Sequence, residues 1–71
     1  MTEQFSVSSE LAKGDVWRCA TGVQITIDAI DKTETGWIYR WTTSVRPNTG
    51  ITSDYGTLAS RLRKAHRVSH G

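Results

Sequence analysis

Seventy-one residues with nine Lys and Arg against seven Asp and Glu leave room for one domain with one small core, because a chain of this length buries only about 60% of its unfolded surface. A single cysteine excludes an intramolecular disulfide framework, and no apolar run approaches membrane-spanning length. The opening, Met1-Thr-Glu-Gln-Phe-Ser-Val-Ser-Ser-Glu10, lacks both the basic start and the apolar stretch of a secretory signal, so the expectation is a cytoplasmic protein, complete as one small gene product.

In chain order, residues 1–10 are polar and expected to be flexible, with Phe5 and Val7 the apolar groups able to dock. Residues 9–13 can form one helical turn that Gly14 ends, and Lys13-Gly14-Asp15 turns the chain into a first strand at about 16–19. Val23, Ile25, Ile27 and Ala29 alternate with Gln24, Thr26 and Asp28, the period-two pattern of a half-buried strand. A polar turn at 31–36 leads into Trp37-Ile-Tyr-Arg-Trp-Thr-Thr43, the strongest strand on β-propensity. Residues 44–56 are rich in turn formers around Pro47 and Gly50, with a short strand at Ile51-Thr52-Ser53.

The spacing of Leu58, Leu62 and Ala65 predicts a helix over about 57–67, capped by Thr57, with Ser60, Arg61, Arg63, Lys64 and Arg67 spread over its back. Residues 69–71 should fray. The fold expected is mainly β with this C-terminal helix, a small antiparallel SH3-like barrel or curled sheet of three to five strands in a single domain over 11–68.

Charge is segregated along the chain. Lys13, Arg18, Lys32, Arg40 and Arg46 share the body with all seven acids, whereas residues 57–71 hold Arg61, Arg63, Lys64 and Arg67 and no acidic side chain. Cations near a helix C-terminus offset its dipole by about 0.3–1 kcal/mol each, and a solvated basic face is a common solubility device. A face kept only for solubility mixes signs more often, so the missing Glu points to an anionic partner.

No recognised enzyme constellation is present. Cys19 lies beside a turn with no nucleophile motif around it. His66 and His70 have the helical spacing of two metal ligands but need a third from elsewhere. The glycines are scattered singly rather than forming a phosphate loop. We therefore expect no catalytic residues, no metal and no cofactor.

The stretches Leu11-Ala-Lys-Gly-Asp-Val-Trp-Arg18, Gly22-Val-Gln-Ile-Thr-Ile-Asp-Ala-Ile30 and Gly36-Trp-Ile-Tyr-Arg-Trp41 resemble the opening of SH3-like small barrels of the KOW and Tudor kind, over about residues 11–43. Small proteins of this shape with an appended basic helix look like those of bacteriophages and mobile elements. The chain lacks the acidic loop and complete aromatic cage of the better-defined members, so no binding residue carries over individually. The resemblance implies a binding module in which Arg18, Arg40 and Arg46 join Arg61, Arg63, Lys64 and Arg67, with Trp37 or Trp41 as an aromatic contact.

Nucleic acid fits that mixture of cations and rings. The alternative is an inhibitor or adaptor that grips an acidic host protein through an aromatic face or strand edge, and a third reading is a self-assembling subunit. The row Trp37, Tyr39, Trp41 stays open between core and stacking platform. A domain this small needs its largest apolar groups inside, yet the aliphatic row already supplies a face, which leaves at least one ring, most naturally Trp37 at the strand end, for the surface.

Overall fold

The computed structural model describes residues 3–6, 9–45 and 49–69. They form β1 (Glu3–Gln4), β2 (Val16–Arg18), β3 (Gln24–Thr33), β4 (Gly36–Thr43), β5 (Gly50–Asp54), α1 (Tyr55–Arg61) and β6 (His66–Ser69). Every strand pair is antiparallel, and the single sheet runs in the order β1-β6-β2-β3-β4-β5. The mainly β, antiparallel class with a helix toward the C-terminus is the one read from the sequence. The two-residue β1 brings the strand count to six.

Alternation decides the faces. Trp17 lies opposite Ile25, and Ile27 opposite Trp41, and all four side chains are buried. They face α1, whose Leu58 is buried together with Leu62 and Ala65 just beyond it; burying a leucine of this kind contributes about 1.5–3 kcal/mol. Tyr39 completes this core. A register shift between Ile27 and Ala29 hands the inner face from Ile27 to Ile30, which lies opposite Tyr39 and packs against the core. Such bulges increase twist and bend the strand. The open row is thereby divided: Tyr39 and Trp41 belong to the core, while Trp37 is 50% exposed at the far end of the β3–β4 hairpin, with the Lys32 ammonium over its ring.

The first strand opens as the sequence indicates. Gly14, at φ 92°, takes a left-handed conformation that costs an L-side chain about 1–2 kcal/mol, and its N–H donates to Ile27 O at 2.8 Å. Residues 9–13 do not form a helical element. The turn is instead closed by Asp15, whose carboxylate accepts from Ala12 N at 3.0 Å.

Two further expectations are corrected. The helix spans Tyr55–Arg61 and not 57–67. Asp54, rather than Thr57, is its N-cap, with the carboxylate accepting from Thr57 N at 2.9 Å. Leu62 is the C-cap, its N–H bonding to Leu58 O, and Lys64 at φ 63° turns the chain into β6. The apolar spacing is nonetheless real, because Leu58 on the helix, Leu62 at its cap and Ala65 on the entry to β6 all reach the same core.

The second correction concerns the ends. Residues 1–10 are not uniformly loose: Glu3 and Gln4 pair with Arg67 and His66, and Phe5 meets Trp17 edge-on at 5.6 Å between ring centroids. At the other end, Ser69 is the last residue of β6 and pairs with Val16, while His70 and Gly71 lie outside the described residues. His66 sits on a strand, so the helical spacing that suggested a metal pair with His70 does not apply.

Candidate functional site

The end of α1 and the turn after it deliver Arg61, Arg63 and Lys64 to one place, all three exposed. They line one side of an open groove of about 590 Å³ whose other walls include Val23, Ile25, Trp41, Val45 and Ile51. Val45 and Ile51 are among the exposed large hydrophobic side chains of the molecule. No carboxylate is among the described residues that line the groove. It is thus an apolar trough with a basic rim.

Local hydrogen bonds hold the rim. Ala65 N donates to Leu62 O at 2.8 Å, which closes the turn. The Cys19 thiol donates to Arg61 O at 3.4 Å, satisfying one of the carbonyls that a helix C-terminus leaves without an internal partner. Burial pushes the Cys19 thiol above its ordinary value, and the Arg61 charge partly offsets this. The group therefore keeps the proton it donates at neutral pH. On the floor, Trp41 Nε1 donates to Ser53 Oγ at 3.0 Å, which fixes the indole.

Lys64 is the residue out of pattern. It is the described non-glycine residue with positive φ, a conformation that costs about 1–2 kcal/mol and that glycine would adopt freely. Strain of this sort concentrates at functional positions. With Ser60 and Arg63, Lys64 also borders a second, shallower cleft of about 450 Å³ beside Gln4, Phe5 and Gly56, so these residues form the ridge between the two.

The remaining cations predicted as one surface are not brought together with these. Arg67 lies on β6 and turns inward. Its guanidinium stacks 4.7 Å from the Trp17 ring centroid, reaches the fully buried Asp15 carboxylate at 3.6 Å, and donates to Glu10 O. It is an internal tie between the chain's two ends.

Arg18 and Arg40 alternate with the buried Trp17, Tyr39 and Trp41 on their strands, so they occupy the outer face of the sheet, away from α1. Arg40 lies across Gly50, where an added Cβ would come within 3.3 Å of its Nε. Through the register, Arg18 corresponds to Gln24 and Arg40 to Ala29, about 16 Å apart along β3. Arg46 lies outside the described residues.

Of the candidate aromatic contacts, Trp41 floors the groove but is itself buried. Trp37 is exposed but stands about 20 Å along β4 from the groove end at Thr43. Among the described residues no group of His, Cys, Asp or Glu is suited to hold a metal ion, and no helix is long and apolar enough to cross a membrane. The groove offers contact and charge.

Sequence reasoning named the rim cations. It missed the apolar trough beside them, whose signal was present only as the isolated Val45 and Ile51 in a turn-rich stretch. Compared with known proteins, the chain matches no family model, no curated protein and no solved structure.

Proposed function

We propose that this is a non-enzymatic binding module whose inner groove takes an acidic segment of a partner protein. The observation that carries this reading is the pairing of an apolar trough with a rim of Arg61, Arg63 and Lys64 and no described carboxylate. Apolar contact supplies free energy, and the rim supplies orientation, on-rate and partner choice. The meander from the Lys13-Gly14-Asp15 turn through β2, β3 and β4 supports kinship with SH3-like small barrels as part of the same proposal.

Nucleic acid is the competing reading and draws on the same cations. It is less well supported because a phosphate track needs charge repeated along a path, with rings beside it for stacking. Arg18 and Arg40 lie on the other face, Arg67 is engaged internally, and the exposed ring is distant.

The test is a pull-down from lysate with and without nuclease treatment, using the full chain, the rim variant Arg61→Glu/Arg63→Glu/Lys64→Glu, and the outer-face variant Arg18→Glu/Arg40→Glu. A partner retained by the chain and the outer-face variant, and lost by the rim variant, is expected. Capture that vanishes with nuclease, together with oligonucleotide binding that falls with salt at a slope of roughly two to three, as expected for three neutralised phosphates, overturns the reading in favour of nucleic acid.

A further inference from the structure

We infer that two copies of the chain pair through the free edge of β5 about a two-fold axis at Thr52, with Arg40 of each copy bound to Asp54 of the other.

Among the described residues β5 pairs only with β4, and the sheet ends there. Such edges invite another strand, and proteins blunt them with lysine, proline, bulges or a covering element. Gly50-Ile-Thr-Ser-Asp54 has neither lysine nor proline, and its ladder with β4 runs without a register shift. The opposite edge, β1, is two residues long and too short to guide a strand.

Charge complementarity selects the occupant. Gly50, Thr52 and Asp54 lie opposite Thr42, Arg40 and Ile38, and residues opposite each other in a ladder share a face. These three positions therefore belong to the outer face, with Arg40. The Arg40 guanidinium does not stay over Thr52. It leans toward Gly50, so closely that a Cβ there would come within 3.3 Å of Nε. Gly50 is not among the glycines with positive φ, so its backbone does not require glycine. A glycine inside a strand often marks a close approach, and the approaching group here is a guanidinium beside an open edge. Among the described residues Arg40 has no ion-pair partner.

A second copy supplies one. Antiparallel pairing of the whole strand about Thr52 sets Gly50 opposite Asp54 of the other copy, about 4.5–5.5 Å away. The exposed Asp54 then brings its carboxylate to the guanidinium over Gly50, and the axis repeats the pair. Its bond from Thr57 N can persist, because an ionised carboxylate has about four acceptor sites. Moving the axis by one residue takes Asp54 away from Gly50. On the inner face Ile51, 38% exposed, comes diagonal to Ile51 of the other copy.

The basic rims do not oppose this arrangement. Arg61 stands just past β2, where its carbonyl accepts from Cys19, so β3, β4 and β5 lie between each rim and the shared edge. The two rims are then roughly 30 Å apart, several screening lengths at physiological salt. Because both β5 edges are used, assembly closes at two copies, and each copy keeps its own groove. Five residues a side make a small interface of the weak class, which sets the expected Kd between about 1 µM and 1 mM.

Sedimentation equilibrium of the full chain across about 1 µM to 1 mM is expected to show the mass rising from one copy to two. Thr52→Lys, which places two ammonium groups at the axis, should remain a single copy throughout. Arg40→Glu should weaken association by at least about tenfold, since it turns two attractions into two repulsions. Adding Asp54→Asn, which keeps the cap, should recover part of that loss. Thr52→Lys and Arg40→Glu should melt with the parent at the dilute end, which separates a lost contact from a lost fold. Under mild oxidation, Thr52→Cys in a Cys19→Ser background should form a covalent dimer, and Ile51→Cys in the same background should not.

A single-copy mass up to about 1 mM overturns the inference. So does a dimer that persists in Thr52→Lys, which uses another surface. A dimer that is unaffected by Arg40→Glu, or that cross-links through Ile51→Cys as readily as through Thr52→Cys, uses another register and overturns it too.

Discussion

The sequence groups Arg67 with the tail cations of a candidate surface, and the structure gives it a different role. Its side chain is 10% exposed, and its partner Asp15 is 0% exposed. Removing one member of a buried pair strands the other and costs about 3–5 kcal/mol, a large fraction of the roughly 5–15 kcal/mol that holds a folded domain together. Arg67→Met should therefore lower the urea midpoint sharply. Arg67→Met/Asp15→Asn should recover part of the loss, because the stranded charge is gone. Equal midpoints for the single and double variants would show that the pair does not account for the cost.

The tryptophans give a second check at the same scale. Trp17 and Trp41 are buried and Trp37 is half-exposed, so iodide should quench one fraction of the emission. Trp37→Phe should abolish that fraction and leave stability almost unchanged, whereas quenching that persists in the variant would contradict the burial of the other two rings.

Among the elements, α1 is the most informative, because it is short and its ends are chemically defined. Asp54 holds its N-terminus, and the hydrogen bonds from Thr57 keep the Asp54 carboxyl below the usual carboxylate range. In the unfolded chain that carboxyl returns to its ordinary value near about 3.9, so across the acid window the unfolded state binds more protons and stability rises with pH. The Asp54 contribution is complete above the ordinary value and is lost as pH falls through the lower folded one. Melting temperatures measured between about pH 2 and 6 should show this slope, and Asp54→Asn, which preserves a cap, should remove it.

The helix also shows why some of the fold was legible and some was not. Alternation in 23–27 and 37–43 sets faces locally, and those strands follow it, but the bulge after Ile27 takes Ala29 off the inner face and puts Ile30 there, which no local pattern marks. The spacing of Leu58, Leu62 and Ala65 encodes burial, which it delivered, but burial at helical spacing does not require one continuous helix. The break depends on Lys64 adopting a left-handed backbone without being glycine, and no residue announces that. The rim cations were legible because an acid-free run is visible in one dimension. Arg67 was misplaced because its carboxylate comes from the first turn, through a strand pairing the sequence does not display. Trp17, the centre of that end of the core, sits in a strand of three residues, too short for periodicity to mark.

Seen as a whole, the molecule sends the cations of its basic tail to different places in the fold. The basic tail of the sequence resolves into two destinations: a rim at the groove, and an internal tie carried by a last strand inserted between β1 and β2. Outer-face Arg18 and Arg40 are separated from the rim by the thickness of the sheet. Reversing their charge is therefore expected to leave groove binding intact while lowering the overall positive charge, which is why that variant is the fitting control for the pull-down. A loss equal to that of the rim variant would show that long-range attraction, and not the groove, drives capture.

The position of β6 has a consequence for how the protein comes into being. It is the last described segment of the chain, yet it is interior to the sheet, where Arg18 finds His66 and Glu3 finds Arg67. A nascent chain emerging from the ribosome can close the β3–β4 hairpin early, because that contact is local. It can lay β2 on β3, but it cannot seat β1 or give Asp15 its Arg67 counter-charge until residues 66–69 are free of the exit tunnel. Closure of the sheet is then governed by one distant contact, and until it forms the apolar side chains of Trp17 and Phe5 are open to whatever meets them first.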